Sequence, residues 1–237
     1  MHYKNLTIIG TSHIAKQSLE EVEDTIKKEK PDILAIELDR KRFYALTHEV
    51  KRKLRFKDIR RIGIKGYLFN LIGAWIEKKL GKMVGVEPGS EMILAIKLAK
   101  KNNIKLALID QDIEITLARI SKTFTWREKF NLVIDLIKGV LFKKSELKKL
   151  GIKELDLTKV PSKTLIRKLI KKVKIRYPNF YKVLVEERNQ VMAHNLRNIM
   201  AREPEKKILA IMGAGHEEEL MDLIKAPEIT YAFSIKQ

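Results

Sequence analysis

Two motifs of the form Gly-x-x-His stand near opposite ends of this chain, each directly after an apolar run. The first is Gly10-Thr11-Ser12-His13 after residues 6–9, and the second is Gly213-Ala214-Gly215-His216 after residues 208–212. Because glycine lets the backbone turn tightly, we expect both imidazoles just past the ends of β-strands. In an open α/β sheet, ligands bind at the carboxyl ends of the strands. The two motifs therefore favour ligand-binding or acid–base chemistry at one edge of a sheet.

Carboxylates follow three further apolar runs. Residues 33–36 lead into Glu37-Leu38-Asp39, residues 83–86 into Glu87-Pro88-Gly89-Ser90-Glu91, and residues 104–109 into Asp110-Gln111-Asp112. Each acid alone has an ordinary explanation, because acids often cap helices or form salt bridges. Five strand ends that all carry a histidine or a carboxylate favour a common site instead, since such groups collect in clefts.

The elements that would position these groups alternate between strand and helix about every 20 to 30 residues. This pattern predicts an α/β fold with a mostly parallel sheet of about five or more strands and helices on both faces. Residues 228–235 alternate like an antiparallel edge strand. We expect Ser18 to cap a helix that ends near Lys30, and Ser90 to cap a second helix through about Lys101. The buried stripe of that second helix is predicted at Met92, Ala95, Ile96 and Ala99.

Length and composition restrict the class of protein. With 237 residues and 45% hydrophobic content, residues 1–237 are expected to form one domain with helical insertions at about 41–82 and 120–200. The absence of cysteine excludes disulfides, thiolate metal ligands and a thiol nucleophile. No Gly-x-Ser-x-Gly, Walker or dinucleotide-binding motif is present. Without a signal peptide or an apolar run of about 18 residues, we expect a cytoplasmic protein with no transmembrane segment, and association with a membrane surface stays open.

The net charge of +19 is concentrated in two stretches. Residues 41–82 hold 13 lysines and arginines against 3 acids, and residues 120–176 hold 17 against 5. Three explanations stay open: a solvated surface typical of hot environments, contact with an anionic membrane, or nucleic-acid binding. Nucleic acid is the least favoured partner, because no basic strand with interleaved aromatic residues is present.

Two segments within the insertions, residues 62–75 and 130–142, are unusually apolar for a surface. Both are too short to span a bilayer. They would pack over the sheet or against a second subunit of a homodimer. The alternative is that they lie in a membrane interface, with nearby lysines against anionic lipid.

Six short motifs occur in the order typical of the TraB/PrgY family, which the chain resembles over nearly all its length. They are Gly10-Thr11-Ser12-His13, Glu37-Leu38-Asp39, Gly85-Val86-Glu87-Pro88-Gly89-Ser90-Glu91-Met92, Ile109-Asp110, Glu187-Arg188-Asn189 and Gly213-Ala214-Gly215-His216. The chain looks similar to archaeal members. The resemblance implies a relation to the Tiki metalloproteases, whose paired Gly-x-x-His motifs and glutamate are held to bind metal. Erythromycin esterase and the haem-binding ChaN proteins are grouped with the family, and PrgY-like members are associated with shutting down a peptide mating pheromone.

The resemblance also implies a set of functional side chains. Carried over position by position, the set is His13, Glu37, Glu87 and His216, and with less weight Glu91, Asp110 and Arg188. Two imidazoles with one or two carboxylates form a site suited to Zn²⁺, Mn²⁺ or Co²⁺. In this hypothesis the metal ligands are His13, Glu37 and His216.

The remaining members of the set would act on the substrate. Glu87 is the expected general base, and Arg188 would neutralise an oxyanion or a substrate carboxylate. The alternative for Arg188 is a buried salt bridge to one of the acids. Glu91 and Asp110 would contact the substrate or support the ligands.

Two functions remain open, and two positions depart from the family pattern. Glu219 stands where relatives commonly have glycine, and Gln111 where they often have arginine, so the loops that face the substrate differ. The first function is a metal-dependent hydrolase that acts on a peptide or amide bond. The second is a non-catalytic protein that binds and sequesters a peptide or small molecule, at a membrane surface. If Glu87 is a base, Glu87→Gln should abolish turnover and preserve metal binding.

Overall fold

The computed structural model describes residues 1–11, 16–48, 59–60, 63–64, 67, 89–141 and 163–227. Its strands are β1 (His2–Tyr3), β2 (Leu6–Thr11), β3 (Ile33–Ile36), β4 (Lys105–Leu108) and β5 (Ile208–Gly213). Its main helices are α1 (Lys16–Glu29), α2 (Arg40–Thr47), α3 (Ser90–Lys101), α4 (Ile113–Thr123), α5 (Trp126–Leu141), α6 (Lys163–Arg176), α7 (Pro178–Tyr181), a π-helical turn (Lys182–Glu186), α8 (Glu187–Arg202) and α9 (Glu217–Lys225). The strands predicted at 83–86 and 228–235, and most of the insertion at 41–82, lie outside the described residues.

The strands form one sheet in the order β1-β2-β5-β3-β4. β2, β5, β3 and β4 are parallel to their neighbours, and β1 pairs antiparallel with β2. The predicted α/β class with a mostly parallel sheet and an antiparallel edge is therefore confirmed. The antiparallel edge seen here comes from the first strand of the chain.

Helices cover both faces of the sheet, as predicted. On β3, Ile33 and Ala35 pack with α8 and α9 on one face, while Leu34 and Ile36 pack with α1 and α3 on the other. Central parallel strands are buried on both sides, so their sequence is continuously apolar. Polar side chains consequently leave the sheet where the strands end.

The two predicted helix caps are wrong in position. Ser18 lies inside α1, whose described residues start at Lys16, and it is fully buried. α3 follows Gly89, whose φ of +81° favours glycine, and Ser90 is already the first helical residue. The buried stripe of α3 is confirmed at Met92, Ala95 and Ala99, whereas Ile96 is half-buried.

The described part of the predicted insertion at 120–200 is helical from the end of α4 through most of α8, apart from Phe124, Thr125 and Tyr177 between helices. None of the helices in the described segments is both long and apolar enough to cross a membrane.

Candidate functional site

The two Gly-x-x-His motifs leave the sheet on neighbouring strands. β2 and β5 pair in parallel, and their last residues, Thr11 and Gly213, lie opposite each other. The two strands therefore run in the same direction and end side by side at the same edge of the sheet. A side chain at Gly10 would place its Cβ 2.7 Å from the Cα of Ala214, because the second motif turns closely over the first. His13 itself lies outside the described residues.

Arg188 ties together carboxylates from two other strand ends. Its guanidinium binds Asp110 with two parallel hydrogen bonds, Nε to Oδ1 at 3.1 Å and Nη2 to Oδ2 at 2.6 Å. Nη2 also donates to Oε1 of Glu37, and Nη1 donates to the carbonyl oxygen of Leu184 at 3.2 Å. Burial opposes the charge, but Glu37 and Asp110 outweigh it, so the pKa of Arg188 is raised. The salt-bridge alternative for Arg188 is thus realised with both acids.

A second arginine, Arg42, which was not predicted from the sequence, also binds Asp110. Arg42 Nη2 donates to Asp110 Oδ2, and its Nε donates to Asp39 at 2.6 Å. Asp39 also caps α2, since its Oδ1 accepts from the backbone N–H of Lys41 at 2.7 Å and of Arg42 at 3.0 Å. The helix-capping explanation therefore holds for Asp39. In the sequence, the three-residue spacing between Asp39 and Arg42 was the feature that could have predicted their ion pair.

His216 faces this cluster from the turn before α9. Its Nδ1 lies 2.6 Å from Asn189 Oδ1, and its Nε2 lies 3.5 Å from Glu37 Oε1 and 3.4 Å from Arg188 Nη1. His216 is 8% exposed and Asn189 is fully buried, so this orientation is set inside the protein. A histidine oriented through one ring nitrogen presents the other to the site, as metal-bound and catalytic histidines do.

Glu37 is held at both of its oxygens. Oε1 accepts from Arg188, and Oε2 accepts from the backbone N–H of Gly213 at 2.6 Å. The amide of Gly213, at the end of β5, thereby links the strand that carries His216 to the strand that carries Glu37. The side chain of Glu37 is 5% exposed.

The structure brings four of the seven predicted site residues together: Glu37, Asp110, Arg188 and His216. Glu91 is buried in the first turn of α3, on the opposite face of the sheet from α8. Glu87, like His13, lies outside the described residues.

The described side chains supply two donors of the kind that Zn²⁺, Mn²⁺ and Co²⁺ take, His216 Nε2 and Glu37 Oε1. Within the described part of the chain, no three His, Asp or Glu side chains are grouped as metal ligands. The donors present fit such a site in chemistry, and a complete site needs a further ligand from a residue such as His13.

A profile of the TraB/PrgY/gumN family matches residues 2–231. The chain belongs to this family. It is 34% identical over 229 residues to the uncharacterized protein MJ1365 of Methanocaldococcus jannaschii, across 94% of this chain and 54% of that protein. It is 24% identical over 234 residues to a TraB domain-containing protein of Bos taurus, across 88% of this chain and 59% of the relative. The match to the TraB domain-containing protein of Homo sapiens is 23% over 233 residues.

The family assignment and the archaeal relative agree with the resemblance that the ordered motifs indicated. The TraB-family chain spans a little more than half the length of these relatives. Activity, substrate and partners of this chain are therefore proposals that rest on the site itself.

Proposed function

We propose that this TraB-family chain is a metal-dependent hydrolase acting on a peptide or amide bond at the carboxyl ends of β2, β3 and β5. The observation that carries the proposal is the orientation of His216. Asn189 holds Nδ1 at 2.6 Å, so that Nε2 is aimed at the carboxylate of Glu37. An imidazole held in this way is what a metal ligand requires.

Three residues would hold the metal: His13, Glu37 and His216. A divalent ion there would polarise a carbonyl group and activate water. The charge balance of the described cluster supports a cation, because Glu37, Asp39 and Asp110 outnumber the guanidinium groups of Arg42 and Arg188.

Arg188 would serve the reaction through Nη1. Its Nε and Nη2 are engaged by buried carboxylates, whereas Nη1 donates one N–H to the carbonyl oxygen of Leu184 and its other N–H faces His216 Nε2 at 3.4 Å, the longest of its contacts. That N–H is the one a substrate oxygen would take most easily, and it would stabilise charge developing on that oxygen. Asp110 holds the guanidinium in place, and Glu87 remains the proposed base.

Metal analysis tests the site directly. Protein made without a histidine tag is stripped with chelator, reloaded separately with Zn²⁺, Mn²⁺ and Co²⁺, dialysed, and analysed for metal content. We expect near-stoichiometric loading of wild type with one of these ions and loss of at least about tenfold in affinity for His216→Ala. His194→Ala is the matched control, because His194 is exposed on α8 and contacts Asn198.

Turnover is tested on the loaded protein with a peptide library. Hydrolysis that Glu87→Gln abolishes, with metal content preserved, supports the hydrolase. Wild type that binds none of the three ions refutes it.

A second candidate is a non-catalytic protein that sequesters a peptide at an anionic membrane surface, and one feature of α5 favours it. Trp126 is 83% exposed and Phe130, one turn later, is 68% exposed. Lys129 lies 3.7 Å from the centre of the Trp126 ring. Exposed aromatic residues beside lysine are typical of helices that lie in a lipid interface.

Vesicle sedimentation tests this candidate. Wild type should bind phosphatidylglycerol vesicles and not phosphatidylcholine vesicles, and Trp126→Ala/Phe130→Ala should bind the anionic vesicles at least about tenfold more weakly. Tyr44→Ala is the control, since Tyr44 is also exposed, at 57%, on α2. Equal binding by the double variant and wild type contradicts a role for this surface.

A further inference from the structure

A continuous chain of hydrogen bonds runs from α7 to His216. The hydroxyl of Tyr181 donates to Glu219 Oε2 at 2.8 Å, and the amide Nδ2 of Asn189 donates to the same oxygen at 3.0 Å. Asn189 Oδ1 then lies 2.6 Å from His216 Nδ1. Tyr181 and Asn189 are 4% and 0% exposed, and Glu219 between them is half-buried, so the link from Asn189 to His216 lies inside the protein.

The donors and acceptors in this chain have a fixed direction. A carboxylate only accepts hydrogen bonds, so Asn189 must present its NH₂ group to Glu219. An amide that turns its NH₂ group one way turns its oxygen the other way, and that oxygen also only accepts. His216 Nδ1 must therefore carry the proton, and the lone pair of neutral His216 is on Nε2.

We propose that Glu219 is a positioning residue that sets the tautomer of His216 through Asn189. Glu219 lies in the first turn of α9, three residues after His216, and hydrogen bonds through Asn189 connect the two side chains. The functional consequence, an Nε2 lone pair aimed at Glu37, rests on the proposed function. The tautomer itself does not require a bound metal.

Glu219→Gln tests the donor-to-acceptor direction of these hydrogen bonds, because it nearly preserves the shape of the side chain. A glutamine side chain both donates and accepts, so its NH₂ group can face Asn189, whose amide then turns over and places NH₂ against His216. Nδ1 would lose its proton in that arrangement. Tyr181→Phe is the matched control, because it removes a hydrogen bond to the same carboxylate oxygen and leaves Glu219 an acceptor.

The tautomer is read from long-range ¹H–¹⁵N spectra of full-length, metal-free protein labelled in histidine nitrogen. The spectra are recorded at about pH 8.5, above the ordinary range of an imidazole pKa. Signals of His216 are assigned by their absence in His216→Asn. We expect the Nδ1–H form to dominate by at least about tenfold in wild type and Tyr181→Phe. Glu219→Gln should lower that preference at least about threefold.

Two results would overturn the proposal: a dominant Nε2–H form in wild type, or an unchanged tautomer ratio in a folded Glu219→Gln variant. If Glu219→Gln does not fold, Asn189→Leu supplies the test, because loss of the acceptor at Nδ1 should shift His216 towards Nε2–H. Zn²⁺ titration separates this proposal from the proposed function. Wild type with the expected tautomer and no metal binding refutes the metal site and leaves the role of Glu219 intact.

Discussion

Replacing Arg188 by methionine should cost far more stability than removing an exposed arginine, because it leaves a buried carboxylate without its cation. The side chain of Arg188 is 12% exposed, and those of Glu37 and Asp110 are 5% and 0% exposed. Asp110 keeps Arg42 as a cationic partner, whereas Glu37 loses the guanidinium that pairs with it. Breaking one side of a buried ion pair costs about 3–5 kcal/mol.

The loss is measured by urea unfolding followed by circular dichroism, with linear extrapolation of the free energy of unfolding. Arg167→Met is the control, because Arg167 pairs with Glu218 but its side chain is 66% exposed. The urea midpoint of this variant should equal that of wild type within error. Glu37→Gln/Arg188→Met also removes the carboxylate charge that Arg188 balances and should recover about 1–3 kcal/mol of the loss. The reasoning fails if Arg188→Met behaves like Arg167→Met, or if the double variant is no more stable than Arg188→Met.

Three further predictions concern single contacts. Gly10→Ala should destabilise the protein by about 1–3 kcal/mol in urea unfolding, because its Cβ would lie 2.7 Å from Ala214 Cα; a neutral effect would contradict the close approach of the two motifs. Asp39→Ala should cost at least about 1–2 kcal/mol, because it removes both the cap of α2 and the carboxylate that binds Arg42, whereas Asp39→Asn keeps a capping oxygen and should lose less; equal losses would exclude capping as a cause. Burial and a hydrogen bond to Asp135 raise the pKa of Tyr177 from 10.0 to about 12. The stability that its hydroxyl contributes is therefore fully present below about pH 10 and lost as pH rises through about 12. Absorbance titration of wild type against Tyr177→Phe should show the missing proton near pH 12 rather than near 10.

The sequence predicted that the candidate site lies at the strand ends, because strand ends are marked by patterns of neighbouring residues. A run of buried residues followed by glycine and a polar side chain marks the end of a strand, and parallel strands end at one edge. That reasoning places Glu37, Asp110 and His216 at the carboxyl edge, where the structure has them. The first residues of the helices were harder to predict from the sequence. Gly89, with a φ of +81°, directly precedes α3, and Ser18 lies inside α1, so serine alone did not locate the caps.

The order of the strands and the partners of each charged group depended on contacts between residues far apart in the chain. β5 lies between β2 and β3, which puts the Gly213 amide against Glu37, 176 residues away in sequence.

The family, the α/β class and the strand ends that carry imidazole and carboxylate groups were determined by the sequence itself, because they rest on local pattern and ordered motifs. Only the tertiary structure decided that Arg188 pairs with both Glu37 and Asp110, and that Asn189 bonds both Glu219 and His216. The physical reason is that hydrogen bonds and ion pairs act over a few ångströms in space, and folding alone sets which distant residues come that close.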